Sequence, residues 1–487
     1  MKYRIGSFIY YQSSVQKLGF LRSIQRDDKN RIILKIQQLV FYEELPGIFK
    51  GISRHQRANS GEVWMLDENF ITINPSAILR KAAVKLPYLN QPLAPGELNV
   101  KEIIYKFKNH WRVRDINMSY LHLAHYISIN NPPTSSLPVY KLFLDIYYDD
   151  FGTYRNVYHS LGGVYIQFGN MTANHRKLVK NHFVIGFVPF GGSFDEFMRP
   201  FVKELKELEK GKVMSVQGQD AWVVAGLGVV TADLPQGNDL AGVLRQGANK
   251  GCRTCSINKD LYTDNNQDFA LLSRYKQITD SESIQIANEY TMSRKKQMSS
   301  KYGLRIKQSV LDELKREKHL QTPQDIYHAT AGKIGRLLRI TVNLLSQEGE
   351  AAFLEAWKNF EKPSVWCRLP NPVTHHESFM MSDYLHLAMI MPFILYRFLK
   401  PLHLKSNELE TIQQRINAQR RDYASKAIIK CWVHVAQTMK IVFERDYTEE
   451  KYVSLKRCLE AEMIILTKVM LCYLCLFIDS LLTNKLL

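Results

Sequence analysis

The chain has 487 residues, 45% of them hydrophobic and 11% aromatic, which excludes a disordered or low-complexity protein and is enough for about two to four domains. Its 65 Lys and Arg residues exceed its 47 Asp and Glu residues, and the formal net charge of +18 favours an acidic partner, most often nucleic acid. Seven cysteines are too few for a disulfide framework, and their odd number indicates a reducing compartment.

The N-terminal residues 1–90 predict a small all-β, barrel-like domain. Short runs rich in β-branched and aromatic residues are separated by the turn-like segments RDDKN and ANSGE, which is typical of successive strands. These runs are RIGSFIYY, KLGFLRSI, RIILKIQQLVFY and GEVWMLDENFITI. The Gly-Ser-Phe-Ile start and the closing VWMLDENFITINPSAILRKAAV loosely resemble a BAH-like module, and that resemblance implies binding to chromatin proteins or DNA.

Residues 91–138 are predicted to be a linker that carries a basic, aromatic segment. The Pro and Gly residues of NQPLAPGEL (90–98) and INNPPTSSLP (129–138) are typical of linkers. Between them, YKFKNHWRVRD (105–115) combines Lys and Arg residues with Trp111. One interpretation is a nucleic-acid contact, with the cations on phosphates and Trp111 stacked on a base. The other is the exposed face of a helix.

Residues 139–445 are predicted to form an α/β core with helical additions. The strands VYKLFLDIYYDDF, GGVYIQFGN and NHFVIGFVPFGG precede the amphipathic helix FDEFMRPFVKELKELEKG, and the apolar strand AWVVAGLGVVTADLP follows it. A strand that is apolar throughout is typically buried on both faces. The order β-β-β-α-β is that of a ribonuclease-H-like core. From about residue 265 onwards the sequence predicts a large helical insertion and a helical C-terminal part.

Residues 446–487 are predicted to be C-terminal helices. The stretch MIILTKVMLCYLCLFIDSLL (463–482) is apolar enough to resemble a membrane span, but Lys468 and Asp479 interrupt it. A helix that packs against protein is therefore the preferred interpretation, and no membrane partner is expected.

Two acidic residues that follow predicted strands are candidate metal ligands. Asp145, Tyr147 and Asp149 alternate along the first strand of the core, so they share one face. Asp150 lies on the other face, and Asp233 ends the fourth strand. Carboxylates at the C-terminal ends of adjacent strands can converge on Mg²⁺, which prefers hard oxygen ligands. Alternatively, each acid only ends a strand and starts a turn. The Asp before Leu-Pro-Gln-Gly is a favourable turn residue by itself.

A pair of cysteines, Cys252 and Cys255, forms the unit CRTC. Thiolates at this spacing provide half of a tetrahedral zinc site, although redox pairs share the spacing. The remaining ligands would come from further along the chain, and His375, His376 and His386 in THHESFMMSDYLHLAMIMP are the candidates. A histidine such as His386, on an apolar helical segment, more often packs within the core.

The ordered motifs between residues 139 and 386 resemble those of CACTA-type (En/Spm-like) DNA transposases of plants and fungi. Asp149-Asp150-Phe151 is similar to the Asp-Gly-Phe that closes the family's first core strand. The segment FDEFMRPFVKELKEL is similar to a helix of the family with the pattern (D/E)-x-(F/Y)-(L/M)-x-P-(F/L)-(V/I)-x-E-(L)-K-E-L. Asp233-Leu234-Pro235 is similar to the Asp-(Phe/Leu)-Pro that ends an apolar strand, and GANKGCRTC to the Gly-rich stretch before a Cys-x-x-Cys. Downstream, Asp383-Tyr384-Leu385-His386 is similar to an Asp-x-x-His on a helix.

The resemblance implies a DDE/D nuclease and strand transferase with a ribonuclease-H-like core. Asp149 and Asp233 would hold two Mg²⁺ (or Mn²⁺) ions. Two residues compete for the role of third acid. Asp383 belongs to the Asp-x-x-His motif, whereas Glu408 lies on the following helix, as the catalytic Glu does in the related V(D)J-recombinase branch.

The resemblance also implies a structural Zn²⁺ that ties the helical insertion, which begins at CRTC, to the helix that bears His386. Its ligands would come from Cys252, Cys255, His386 and His376. We expect DNA as the partner, with chromatin proteins and a second copy of the chain as further candidates, and the nucleus as the location. The first hypothesis is a transposase-derived DNA-binding protein that cleaves and joins phosphodiesters. The second is a catalytically inactive or co-opted scaffold that binds chromatin or DNA.

Overall fold

A computed structural model of the chain describes residues 3–27, 29–68, 70–86, 96–120, 132–134, 136–152, 160–262, 264, 266–366, 369–444 and 447–470. The chain divides into two units. The first comprises Met1–Ala232, Gln236–Leu244 and Asp268–Pro323, and the second comprises Asp233–Pro235, Arg245–Gln267 and Gln324–Leu487. Both sheets belong to the first unit, and the mixed α/β class predicted from the sequence is confirmed.

Nine strands of the described part form the first sheet. They are β1 (Phe8–Gln12), β2 (Gln16–Arg26), β3 (Ile32–Val40), β4 (Glu62–Leu66), β5 (Ile71–Ile73), β6 (Ile78–Lys81), β7 (Val84–Lys85), β8 (Leu98–Phe107) and β9 (His110–Asp115). Their order is β6-β1-β2-β3-β4-β8-β7, with β5 paired to β3 and β9 paired to β8. Helix α1 (Ile52–Asn59) joins β3 to β4 along the chain.

This sheet continues beyond residue 90, into the region where the sequence predicts a linker. Strand β8 pairs with β4 and β7, and β9 pairs back on β8. Their hairpin turns at Lys108 and Asn109, whose φ angles of 49° and 63° suit a two-residue type I′ turn. Trp111 packs against an apolar cluster of the sheet, and the Lys106 ammonium lies 4.3 Å from its ring centroid. Residues 98–115 are thus part of the sheet, so the interpretation as the exposed face of a helix is wrong. Trp111 packs against the sheet, and its contact with nucleic acid stays a prediction.

Five strands of the described part form the second sheet. They are β10 (Val139–Gly152), β11 (Ser160–Phe168), β12 (Phe183–Val188), β13 (Lys212–Val216) and β14 (Gln219–Ala232). The order is β12-β11-β10-β14-β13. Only the β10–β14 pairing is parallel among these neighbours. The four strands predicted from the sequence are confirmed, and β13 is an addition.

An amphipathic helix covers part of the second sheet. Helix α2 (Ala173–Arg176) is short, whereas α3 (Phe194–Leu208) has the length that the sequence predicts. The Ser193 side chain accepts a hydrogen bond from the Glu196 N–H at 3.4 Å and caps α3. Met198, Val202 and Leu205 recur at three-to-four spacing, so they point to one side and join the buried core of the sheet.

After β14, the described residues of the first unit are mainly helical, with a buried polar segment near the end of the unit. Its helices are α4 (Leu234–Leu240), of which the last five residues belong to this unit, α5 (Phe269–Leu272), α6 (Lys276–Asn288), α7 (Met292–Tyr302) and α8 (Lys318–Gln321). The Gln321 amide donates to the carbonyl oxygens of Leu227 (2.8 Å) and Gly228 (2.7 Å) in β14. His319 Nε2 lies 2.9 Å from the Thr279 hydroxyl in α6. Buried polar side chains therefore tie this segment to the sheet and to α6.

The second unit has a helical core. Its long helices are α9 (Ile326–Leu344), α10 (Gln347–Lys358), α11 (Met381–Phe398), α12 (Ser406–Arg415), α13 (Asp422–Val442) and α14 (Glu449–Met470). Lys333 and Glu462 form a buried ion pair at 2.6 Å between α9 and α14, and the Trp432 indole donates to the Thr341 hydroxyl at 3.0 Å. Among the described helices, none is long and apolar enough to cross a membrane.

Short 3₁₀ helices complete the described elements. They are Tyr42–Glu44, Gly47–Phe49, Pro75–Ala77, Val179–Asn181, Lys259–Leu261, Val310–Glu313, His376–Ser378 and Pro401–His403. The predicted helical character of the chain after residue 265 is confirmed up to residue 470, and the remainder of the predicted C-terminal helices lies outside the described residues.

Candidate active site

Two of the predicted acids, Asp149 and Asp233, are connected along the chain to the parallel strands β10 and β14. Tyr148 of β10 pairs with Ala232 of β14. Asp149 follows Tyr148, and Asp233 follows Ala232, directly in the chain. Asp149 lies one residue past the last pairing of β10 with β14 but not at the end of its strand, because β10 continues to Gly152 and Asp149 pairs with Gly163 of β11. Asp233 directly follows the end of β14.

The neighbouring acids Asp149 and Asp150 have different surroundings. Asp149 is half-buried, and its Oδ2 accepts a hydrogen bond from the Tyr147 hydroxyl at 2.8 Å. Asp150 is exposed, and its Oδ1 accepts a hydrogen bond from the Tyr148 hydroxyl at 3.2 Å. Each tyrosine reaches the acid two positions later, which confirms that Asp149 and Asp150 lie on opposite faces of the strand.

Asp145 shares the face of Asp149 but is buried. Its Oδ1 accepts a hydrogen bond from the Val229 N–H at 2.8 Å, and its Oδ2 forms an ion pair with Arg176. Burial raises the pKa of Asp145, although the Val229 N–H and the Arg176 charge act in the opposite direction. A Cβ on Gly228 would come within 2.0 Å of Asp145 Oδ1. The carboxylate therefore fills space that a glycine leaves, and it is a structural group of the sheet.

A buried arginine holds the turn that carries Asp233. Arg253 is 0% exposed, and its Nη2 donates to the carbonyl oxygens of Leu234 (3.1 Å) and Asp233 (3.4 Å). Burial lowers the pKa of Arg253 to about 10, whereas attraction to Cys252, Asp233 and Asp325 raises it. The guanidinium is therefore protonated at neutral pH, and the middle of the CRTC unit is attached to the Asp233 turn.

The two cysteines of CRTC lie close together in the interior. The hydrogen bond from the Cys255 thiol lowers the pKa of Cys252 to about 5, although burial alone would raise it. The Cys252 sulfur also lies 3.1 Å from the Thr254 hydroxyl. The lowered pKa favours the thiolate, which is the form that binds metals. The pair therefore fits the chemistry of half a zinc site.

The predicted histidine ligands make other contacts. The His386 ring stacks on Trp366, with centroids 4.1 Å apart and an interplanar angle of 17°. His376 Nδ1 lies 3.3 Å from the Val373 carbonyl oxygen. In the part of the chain that the structure describes, no three His, Cys, Asp or Glu side chains gather as metal ligands. The stacked His386 resembles a packing residue, and the zinc ligand set remains a prediction.

The two candidates for the third acid both lie in the first turn of a helix. Asp383 Oδ2 accepts a hydrogen bond from the Met380 N–H at 2.8 Å and so caps α11. Glu408 is half-buried in the first turn of α12. An acid is favoured at such positions by the helix dipole alone. The position of each acid is therefore explained without a catalytic role, and the choice between them remains open.

An acid–histidine pair at the start of α9 was not predicted. Asp325 Oδ1 accepts a hydrogen bond from the His328 N–H at 3.0 Å, and its Oδ2 contacts His328 Nδ1. This Asp-x-x-His has the spacing of Asp383 and His386. An Asp directly before an apolar periodic run is a helix start signal, so the sequence did contain the clue.

A comparison with models of known protein families finds no match, and neither does a comparison with curated protein sequences. The resemblance to CACTA-type transposases therefore remains an expectation that rests on the motifs of this chain. The function proposed for the chain therefore rests on Asp149, Asp233 and Arg253 and on the residues that contact each of them.

Proposed function

We propose that the chain is a transposase-derived DNA-binding protein with a DDE/D active site that cleaves and joins phosphodiesters. The observation that carries the proposal is the register of β10 and β14, in which Asp149 and Asp233 directly follow the paired residues Tyr148 and Ala232. A ribonuclease-H-like core is supported by the sheet order, in which three antiparallel strands β10–β12 are followed by β14, parallel to β10.

The proposed ligands suit Mg²⁺ or Mn²⁺, because carboxylates supply the hard oxygen atoms that these ions prefer. Asp149 and Asp233 would hold the ions, with Glu408 or Asp383 as the third acid. The Tyr147 hydroxyl orients the Asp149 carboxylate through its 2.8 Å hydrogen bond. When bound, a pair of such ions would activate the attacking oxygen and stabilise the leaving oxygen of an in-line displacement.

A structural Zn²⁺ is proposed at the CRTC unit. The lowered pKa of Cys252, which results first from the Cys255 hydrogen bond, favours the thiolate that zinc requires. His386 and His376 stay the proposed partners, and His386 would have to leave its stack on Trp366 to bind. In this proposal the metal strengthens the segment that contains Arg253.

DNA is the proposed partner because the chain carries a formal net charge of +18. Lys and Arg side chains that neutralise phosphates release counterions, so the binding constant should fall steeply as salt rises. The same proposal includes a second copy of the chain, chromatin proteins at the N-terminal BAH-like module (residues 1–90) and a nuclear location. These further partners and this location are implied by the resemblance to CACTA-type transposases and to a BAH-like module.

The test is metal-dependent cleavage of DNA by the full-length chain. Plasmid DNA and short duplexes are incubated with Mg²⁺ or Mn²⁺, and DNA binding is measured in parallel at several salt concentrations. We expect Asp149→Asn and Asp233→Asn to abolish cleavage and to leave DNA binding intact. Asp150→Asn is the matched control, because it changes the adjacent acid on the opposite face, and it should cleave as the wild type does.

The outcomes separate the two hypotheses. Cleavage that requires Asp149 and Asp233 supports the nuclease. Salt-sensitive DNA binding without cleavage by the wild type would leave the scaffold hypothesis. Undiminished cleavage by Asp233→Asn would contradict the assignment of the active site.

A further inference from the structure

Arg253 is an unusual residue to find between two cysteines, because its guanidinium is fully buried. A buried charge is costly unless hydrogen-bond acceptors and opposite charges surround it. Here the backbone carbonyl oxygens of Asp233 and Leu234 accept hydrogen bonds from it. Cys252 and the carboxylates of Asp233 and Asp325 attract it.

Asp325, one of the acidic groups that attract Arg253, is itself held in place. Asp325 caps α9 by accepting the His328 N–H at 3.0 Å, and its second oxygen contacts the His328 ring. The carboxylate thus belongs to the first turn of a long helix. Arg253 therefore binds the backbone of the Asp233 turn and is attracted by a carboxylate at the start of a long helix.

We propose that Arg253 is a positioning residue, which fixes the backbone of Asp233 and Leu234 so that the Asp233 carboxylate stays oriented for metal binding, with Asp325 as its counter-charge. This inference rests on the proposed function, since it assigns a role relative to the metal-binding acid. It also gives a reason for the spacing between Asp233 and CRTC, because the loop between them must return Arg253 to the Asp233 turn.

The role of Arg253 differs from simple stabilisation. Groups that orient a metal ligand typically change metal affinity or activity by about 10–100-fold when removed. A buried arginine elsewhere should affect stability without affecting metal affinity. Arg274 provides that comparison, because it is 2% exposed and its Nη1 donates to the Tyr302 carbonyl oxygen at 3.0 Å.

The experiment measures Mn²⁺ binding to the full-length chain by electron paramagnetic resonance, below the unfolding temperature of every variant. Asp233→Asn should remove a bound ion and so mark the site. Arg253→Gln should weaken binding of that ion by about tenfold or more. Arg253→Lys should have a smaller effect, since it keeps the charge but loses the planar fork. Arg274→Gln should bind the ion as tightly as the wild type.

Asp325→Asn is the second variant. It tests the positioning role if Arg253→Gln does not fold. It removes the counter-charge and keeps the size of the side chain, and it should also weaken Mn²⁺ binding. Wild-type affinity in folded Arg253→Gln, or in Asp325→Asn when the former does not fold, overturns the inference. So does an equal loss in Arg274→Gln, or the lack of any ion that Asp233→Asn removes.

DNA cleavage by the same proteins separates this inference from the proposed function. If the wild type binds Mn²⁺ at Asp233 and Arg253→Gln weakens that binding, but no DNA is cleaved, the nuclease proposal fails and the positioning role stands. The opposite result is that cleavage requires Asp233, but the Arg253 and Asp325 variants cleave DNA and bind Mn²⁺ as the wild type does. In that case only the positioning role fails.

Discussion

Asp145 and Asp149 lie on the same face of β10, but their environments give them different roles. Their shared face follows from the alternation of a strand and could be predicted from the sequence. The burial of Asp145 could not, because it depends on the space left by Gly228 and on the Val229 N–H of another strand. The contact of Arg253 with the Asp233 turn could not be predicted from the sequence either, since no local pattern encodes it.

The burial of Asp145 predicts a pH-dependent effect of Asp145→Asn. Because burial raises the pKa of this carboxyl, its contribution to stability is present at low pH and is lost as the pH rises through the raised pKa. Asparagine does not titrate. The stability of the variant relative to the wild type should therefore increase between about pH 4 and pH 7.5.

Urea denaturation of both proteins at the two pH values measures this difference. Asp27→Asn is a control of opposite sign, because the Arg31 N–H and the Arg31 side chain lower the pKa of Asp27. Its carboxylate stabilises at high pH, and that contribution is lost as the pH falls. A relative stability of Asp145→Asn that falls with rising pH would refute the burial argument.

The contrast between two buried cysteines predicts which of them affects zinc. The Cys255 hydrogen bond lowers the pKa of Cys252, whereas burial raises the pKa of Cys431. We expect Cys252→Ser to release zinc and to increase hydrogen exchange over residues 245–262. Cys431→Ala should keep its zinc. Elemental analysis of the purified full-length proteins decides, and a wild type without stoichiometric zinc would eliminate the site.

Among the secondary-structure elements, strands and helices with a clear hydrophobic periodicity could be predicted from the sequence. Strands that belong to hairpins set by the conformation of the turn could not. The strand Val139–Gly152 and the helix Phe194–Leu208 have clear periods and were predicted. The strand β13 was missed because its hairpin depends on Gln217 and Gly218, whose φ angles of 52° and 81° suit a type I′ turn that Gln-Gly does not strongly signal. The same holds for Lys108 and Asn109 between β8 and β9.

The contact of Gln321 with β14 predicts a large effect from a single amide. Gln321→Ala would leave the carbonyl oxygens of Leu227 and Gly228 without this donor in a buried environment, at a cost of about 1–3 kcal/mol. Gln297→Ala, at an exposed glutamine of α7, should stay within about 0.5 kcal/mol of the wild type. Urea denaturation compares the two, and equal effects would show that the Gln321 hydrogen bonds contribute little.

At the scale of the molecule, the second unit depends on contacts between helices far apart in sequence. Lys333 of α9 and Glu462 of α14 are 9% and 0% exposed in their side chains. Removing one partner leaves an uncompensated buried charge, so Lys333→Met should cost about 3–5 kcal/mol. The double variant with Glu462→Leu should recover much of that loss. Such a pairing has no local sequence signal.

Lys426→Met is the matched control for this pair. Lys426 is 66% exposed where it pairs with Asp422 at 3.0 Å, and its loss should cost no more than about 1 kcal/mol. Denaturation gives the free energies, and hydrogen exchange assigns them to α9 and α14. A double variant as unstable as Lys333→Met alone would mean that packing, not the buried charge, causes the loss.

The measurement that tests the central claim most directly is a crystal structure of the full-length chain with Mn²⁺, using its anomalous scattering. The account predicts a peak bound by the carboxylates of Asp149 and Asp233. The third acid ligand of that ion would decide between Asp383 and Glu408. Carboxylates of Asp149 and Asp233 that point apart, with no shared ion at saturating Mn²⁺, would contradict the account.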